Sequence, residues 1–306
     1  MFVKHKQWMA QHGRYYKNEE EKVKRFKIFK ENVQHIESFN REGSHTYKLR
    51  INKFADLTNE EFLAKYGGNL KPSFSMIPSN QSSFEYGNVK DVPPSLDWRD
   101  HNAVTPVQNQ GQCGCCWAFT AVAAIEGIEA IRSGELTPLS EQHILDCNYG
   151  HEGCQGGRMD HAFDFVAKNG GLASDTDYPY TGTQGACAIN KPSSLSSRIT
   201  GFVFVPNNDE AALLAAVANQ PVSVAIDPKL FQFYHSGVLT GECGTNLTHA
   251  VTVVGYGESE DGVKFWLVKN SWGAEWGDNG YVKVQRNVDA KEGMCGIAMF
   301  PSYPTA

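Results

Sequence analysis

Apolar and polar positions along this chain change period twice. Early on, Glu21, Arg25, Phe29, Asn32, Ile36 and Asn40 recur at intervals of 4, 4, 3, 4 and 4. That spacing puts all six on one face of a helix, and Phe26, Val33 and Phe39 widen the stripe. From Cys116 to Arg132 an apolar, alanine-rich stretch predicts a long helix closed by Ser133-Gly134. Shorter helices are predicted at Ser140–Asp146 and Met159–Asn169. After about residue 200 the period shortens. Strands are expected at Val222–Ile226, Ala250–Tyr256, Phe265–Asn270 and Tyr281–Gln285, with 258–262 as a charged hairpin tip. Residues 67–96 hold Gly67-Gly68, Pro72, Pro78, several serines and Pro93-Pro94, which predicts an extended linker. The expected class is α+β: a helical leader, a helix-rich half and a β-barrel-like half.

Composition narrows this further. The 306 residues predict about two domains, and 41% hydrophobic content supplies a real core. No apolar run approaches the roughly 18–20 residues of a membrane span. Met1-Phe2-Val3-Lys4-His5-Lys6 is followed by no apolar stretch and is not a signal peptide. Met1 is expected to be an artificial start or a product of trimming, with a secretory signal upstream. Residues 1–91 carry 16 Lys+Arg against 11 Asp+Glu, while 92–306 carry 12 against 23. A basic leader on an acidic body would be held partly by charge. Chance asymmetry is the competing explanation. No basic stripe points to nucleic acid.

The candidate chemistry centres on Cys116, in Gln110-Gly111-Gln112-Cys113-Gly114-Cys115-Cys116-Trp117-Ala118-Phe119. Here a glycine-rich turn runs into the predicted helix. A thiol at a helix N-terminus faces unpaired N–H groups and the positive end of the helix dipole, which favours the nucleophilic thiolate. The competing reading is a bridged or buried cysteine. His249 opens a β-branched run ending in Gly255-Tyr256-Gly257, so it sits at a strand start. Asn270 lies in Lys269-Asn270-Ser271-Trp272-Gly273. His-Glu-x-x-His, Walker-A and GxGxxG patterns are absent.

With these segments the chain resembles the papain-like cysteine proteases, whose pattern is Cys-Gly-Ser/Ala-Cys-Trp/Tyr with His and Asn about 130–150 residues on. His249 follows Cys116 by 133 residues and Asn270 by 154. Cys115 stands where Ser or Ala is expected, leaving an extra thiol beside the nucleophile. The six-residue helical stripe resembles the inhibitory prosegment signature of papain-like zymogens. Asn52-Lys53-Phe54-Ala55-Asp56 resembles that prosegment's second motif, with Arg50 in place of a glycine.

The resemblance implies a two-lobe fold: prosegment 1–91, its 67–91 part running through the cleft in the reverse direction to substrate, then a catalytic domain 92–306. Its helical lobe would span about 102–200 and its β-rich lobe about 201–306. Maturation would fall near Asp91 or Val92. Cys116 would form an acyl-enzyme and be paired as thiolate with a His249 imidazolium. Asn270 would orient the ring, shielded by Trp272, and Gln110 with the Cys116 N–H would form the oxyanion hole. Gly156 and Gly157 would pair with the substrate backbone. Met159, Ala225, Leu247, Ala250 and Phe300 would line the pocket for the second residue before the scissile bond, favouring an aliphatic or aromatic side chain. Arg158 is expected to be solvated at the rim. Pairing by resemblance gives Cys113–Cys154, Cys147–Cys187 and Cys243–Cys295.

Eight cysteines fit an oxidising compartment. Two sequons, Asn80-Gln81-Ser82 and Asn246-Leu247-Thr248, are glycosylation candidates. The resemblance to plant members implies a vacuolar, lysosome-like or extracellular setting, protein or peptide substrates, the prosegment as intramolecular inhibitor, a monomer, and no metal, organic cofactor, nucleic acid or membrane partner. No C-terminal retention signal or appended domain is read. Acid is expected to release the leader by neutralising carboxylates paired with leader cations. The remaining alternatives are a non-catalytic papain-like binding or storage protein, a Cys113-x-x-Cys116 oxidoreductase, and a zinc site from Cys147, Cys154 and His143 or His151.

Overall fold

A computed structural model describes residues 1–68, 70, 84–89, 91–149, 153–188 and 195–306. The leader begins with α1 (Phe2–Gln11), α2 (Glu19–Glu42), β1 (Tyr47–Leu49) and α3 (Asn59–Tyr66). Helix α2 starts on an Asn18 cap that accepts the Glu21 amide, carries Glu19, Glu20 and Glu21 in its first turn, and ends at Gly43 with φ 72°. Its predicted stripe is half packing and half clamp. Phe29 and Ile36 are buried with Trp8 and Val33. Asn32 Nδ2 donates to the Ala55 and Leu57 carbonyls, both at 2.9 Å, and Asn40 Nδ2 to Leu49 O at 2.8 Å. Arg25 Nη1 reaches Asp56 O at 3.0 Å and Glu61 Oε2 at 2.5 Å. The polar positions thus fix the Leu49–Glu61 segment that must meet the body.

The body contains β2 (Leu96–Asp97), α4 (Cys116–Ser133), α5 (Glu141–Cys147), α6 (Met159–Asn169), β3 (Gly201–Phe204), α7 (Glu210–Val217), β4 (Val222–Ile226), β5 (Tyr234–Leu239), β6 (His249–Glu258), β7 (Lys264–Lys269), β8 (Tyr281–Gln285) and β9 (Ser302–Thr305). Helix α4 is the apolar centre of the helical half and closes at Gly134 with φ 78°. Strand order is β1-β5-β8-β7-β6-β4-β9-β3, with β2 on β6 and β5–β8 the parallel pair. Five of these body elements were not anticipated: β2, β3, β5, β9 and α7. The strands are short, and α7 (Glu-Ala-Ala-Leu-Leu-Ala-Ala-Val) shows little sidedness, although Asp209 caps it by accepting the Ala212 amide at 2.9 Å.

The leader continues the body's sheet, because β1 pairs antiparallel with β5. Gly237 permits this approach: at φ +86°, a Cβ there would lie 2.3 Å from Thr46 O. Across the boundary the body's Glu275 carboxylate favours the charged forms of the leader's Lys53 and His12. Among the described residues every ion pair lies within the leader or within the body. Leader cations that cross bind carbonyls instead: Lys53 Nζ donates to Trp272 O at 2.7 Å and Arg50 Nη2 to Glu275 O at 3.1 Å. Aromatic packing accompanies them, with Phe54 and Phe62 edge-on to Trp272 at 5.8 and 5.2 Å. The expected linker is not all extended. Residues 84–89 turn back, and Tyr86 packs on Tyr303 with centroids 5.3 Å apart. Most of the path between Gly68 and Phe84 lies outside the described residues.

Candidate active site

Cys116 is the first residue of α4, His249 the first of β6, and Asn270 follows the last residue of β7. The fold thereby brings a helix start and two strand ends together across the two halves. His249 Nε2 and Asn270 Oδ1 are 2.8 Å apart. The amide oxygen also accepts the Ser271 N–H at 2.8 Å, so it faces His249 as acceptor and His249 Nε2 carries the proton. The other ring nitrogen, Nδ1, is buried without a hydrogen-bond partner among the described residues. Trp272 stacks on the imidazole at 4.7 Å and covers the His249–Asn270 pair.

Gln110 crosses between the halves. Its amide donates to Ser271 O at 2.9 Å, its Oε1 accepts from Ser271 Oγ at 2.5 Å, and its Nε2 donates to Cys113 O at 2.9 Å. One hydrogen of that Nε2 remains for a further acceptor.

The leader covers the sulfur. A Cβ on Gly68 would lie 2.4 Å from Cys116 Sγ, and Gly68 holds φ +75°. Leu70 continues the contact, its amide donating to Thr248 O at 3.1 Å. Burial here opposes the charged forms. Burial drives the Cys116 thiol up to about 12, against backbone N–H groups of Ala250, Trp117 and Cys116 itself that favour thiolate. Burial likewise drives His249 down to about 4, with Asn270 opposing. Both shifts favour the neutral thiol and imidazole, because a buried charge has no water to solvate it.

Met159, Ala225, Leu247, Ala250 and Phe300 are buried in one apolar cluster, and Leu70 of the leader belongs to it. Phe300 meets Phe204 edge-on at 5.2 Å. Arg158 is not solvated at the rim, as the sequence led us to expect. It is buried, donates to both Asp160 oxygens at 2.9 and 2.6 Å, and lies 5.4 Å over the Phe300 ring. Gly156 sits at φ +125°. At Gly157 a Cβ would be 2.3 Å from the Trp117 ring.

Disulfides join Cys113–Cys154, Cys147–Cys187 and Cys243–Cys295, leaving Cys115 and Cys116 free. These bridges remove the Cys113–Cys116 dithiol and any zinc site built on Cys147 and Cys154. His151 lies outside the described residues. Asn246 is exposed, whereas Asn80 lies outside the described residues. Sequence reasoning missed Gly68, Leu70, Ser271 and Tyr180. For the first, the Gly67-Gly68 pair was the available signal, and it was read as linker punctuation.

The comparisons agree with this geometry. Residues 92–305 match the papain family cysteine proteases and residues 5–62 the cathepsin propeptide inhibitor domain. The chain is 50% identical over 311 residues to the senescence-specific cysteine protease SAG39 of Oryza sativa subsp. indica, covering 100% of this chain and 91% of that protein. It is 46% identical over 306 residues to fruit bromelain of Ananas comosus, covering 100% and 86%. The proform crystal structure of the ragweed pollen allergen Amb a 11 cysteine protease superposes with a TM-score of 0.91 at 45% identity, covering 98% and 93%. A cysteine at a helix start, covered by a leader of the inhibitory kind, therefore belongs to a cysteine protease zymogen, and the chain is a member of the papain family.

Proposed function

We propose that Cys116 is the nucleophile, His249 its acid and base, Asn270 the residue that orients the ring, and Gln110 with the Cys116 N–H the oxyanion hole. Supporting this is His249 Nδ1, without a partner among the described residues, on a ring fixed by Asn270 Oδ1 at 2.8 Å, with a free thiol at the start of α4. Once the leader leaves, water reaches both groups and the proton passes from Sγ to the imidazole. The sulfur adds to the scissile carbonyl, and the oxyanion is met by Gln110 Nε2 and the Cys116 N–H. His249 gives its proton to the leaving amine as the C–N bond breaks, leaving a thioester. It then takes a proton from water, which adds to the thioester and expels the thiol.

The leader also reports specificity. Leu70 is buried in the same apolar cluster as Met159, Ala225, Leu247, Ala250 and Phe300, which supports a pocket that prefers leucine-like side chains. Gly156 and Gly157 pair with the substrate main chain, and Trp272 flanks the leaving-group side. The prosegment ends near Asp91 or Val92, and the catalytic domain, with its two lobes, follows. The enzyme acts as a monomer of the vacuole, a lysosome-like compartment or the extracellular space, with no nucleic-acid or membrane partner. Among the described residues, no helix is long and apolar enough to cross a membrane. Asn246 is an exposed glycan acceptor candidate.

The test is incubation at mildly acid pH with reductant, then titration with a thiol-directed epoxide. One equivalent on Cys116 with loss of peptidase activity is expected, as is preferential cleavage in a peptide library where the second residue before the scissile bond is leucine-like. An intact chain that takes no label and cleaves nothing would leave a binding or storage protein.

A further inference from the structure

The thiol beside the nucleophile occupies a defined place in a hydrogen-bond chain. Cys115 is fully buried, and its sulfur lies 3.1 Å from Tyr180 Oη. Tyr180 Oη donates to the main-chain oxygen of Gln110 at 2.8 Å. A phenol has one hydrogen, and here Gln110 receives it. The oxygen therefore accepts from Cys115, and the chain runs Sγ–H to Oη–H to O=C. Phe119 meets the Tyr180 ring edge-on at 5.0 Å and holds it in line. Burial keeps Cys115 protonated, its thiol pushed up to about 12.

The remaining holds on Gln110 are the two Ser271 bonds and the Nε2 bond to Cys113 O. None of them restrains the Gln110 carbonyl. Among the described residues that peptide unit is held at its N–H by Asn109 Oδ1, which accepts from Gly111 N at 3.1 Å, and at its carbonyl by Tyr180. The carboxamide then meets the oxyanion only if this peptide unit stays in place. We propose that Cys115 and Tyr180 are positioning residues for the oxyanion hole, acting through the Gln110 main chain. This rests on the reading of Gln110 as the oxyanion donor.

Mature enzyme from Tyr180→Phe, Cys115→Ala, Cys115→Ser, the Cys115→Ala/Tyr180→Phe double variant and Gln110→Ala is assayed on a peptide amide. Rates are expressed per epoxide-titrated site, so misfolded protein drops out. Loss of the whole donor in Gln110→Ala is expected to lower kcat by about 10²–10³-fold. Tyr180→Phe is expected to lower kcat about tenfold and Cys115→Ala about threefold, each with unchanged KM, as fractions of that loss. Cys115→Ser rescues, since a hydroxyl donates in the same place. The double variant falls no further than Tyr180→Phe, because the two residues act in series. Alkylation of Cys116 by iodoacetamide, which forms no oxyanion, keeps its wild-type rate; general loosening of the site would slow it too.

Wild-type kcat in Tyr180→Phe or in Cys115→Ala, with Gln110→Ala impaired, overturns the proposal. An unimpaired Gln110→Ala overturns the assignment of Gln110 instead. Should Tyr180→Phe fail to mature, Cys115→Ala against Cys115→Ser decides alone.

Discussion

Gly68 of the leader rests on the sulfur of Cys116, with only a glycine's hydrogen between them. An added Cβ would come within 2.4 Å of Sγ and 3.0 Å of Thr248 O, at a left-handed φ of +75°. Gly68→Ala is therefore expected to weaken leader docking. The left-handed strain alone costs about 1–2 kcal/mol, or roughly tenfold in affinity, and the clash adds to it. The check is inhibition of the mature enzyme by the free leader, wild-type against variant. Gly13→Ala is the control: it shares the positive φ, at +57°, with nothing within 4 Å. Equal inhibition by Gly68→Ala and wild type would falsify the assignment.

Removal of the leader should convert a neutral pair into a charged one. The docked thiol is held up to about 12 and His249 down to about 4, both by burial. In the zymogen, Cys116 is expected to react negligibly with a small alkylating agent from pH 5 to 8. In the mature enzyme it should already react at pH 5, because the imidazolium supports the thiolate there. Matching rates for the two forms would contradict this.

Acid sensitivity belongs to the leader's own fold. Burial would raise the Glu61 carboxyl, but hydrogen bonds from Arg25 and the Thr58 amide, with the Arg25 charge, outweigh it and hold it low. A depressed carboxyl lends its stability above the ordinary carboxylate range and loses it as pH falls through the folded value. His5 acts in the same direction: burial lowers it, so its contribution is present above its ordinary value near 6.5 and declines as pH drops below. Glu61→Gln should remove part of the leader's neutral-pH stability and speed maturation at pH 6–7, read by gel over time. Unchanged timing at that pH would argue against it.

Between the halves, Lys269 Nζ donates to Thr105 Oγ1 at 2.8 Å, and that hydroxyl donates to Glu126 Oε2 at 2.7 Å. Burial lowers Lys269 and raises Glu126, while Glu141 is pushed up to about 8 by burial and by Glu126. Lys269→Met leaves these buried acids without their cation. A loss of about 3–5 kcal/mol is expected, as a lowered Tm in calorimetry. Because Lys269 directly precedes Asn270, kcat should fall with it.

Periodicity carried much of this fold, and particular residues show where it stopped. The stripe from Glu21 to Asn40 is a local property, so one helix face was readable from spacing. What Asn32 and Asn40 do was not, because their partners are carbonyls at Leu49, Ala55 and Leu57. Cys116 at a helix start is likewise local. Its protonation state is not, since it depends on Gly68, which lies 48 residues earlier in the chain. Charge counts are coarse for a related reason: Arg25 meets the leader carboxylate of Glu61 while Lys53 and Arg50 meet body carbonyls, and composition cannot tell these apart. Arg158 looked like a rim residue until Asp160, two positions on, was seen folded back against it.

Strand β1 has a consequence for the enzyme after processing. While attached, Thr46–Leu49 shields the outermost strand of the barrel, and Gly237 is shaped to admit it. Cleavage strips this shield and turns an interior strand into a border, with the main-chain groups of residues 236–238 newly open to solvent. The mature protease therefore keeps an imprint of its inhibitor on β5, where a glycine leaves the new border without a side chain to blunt it.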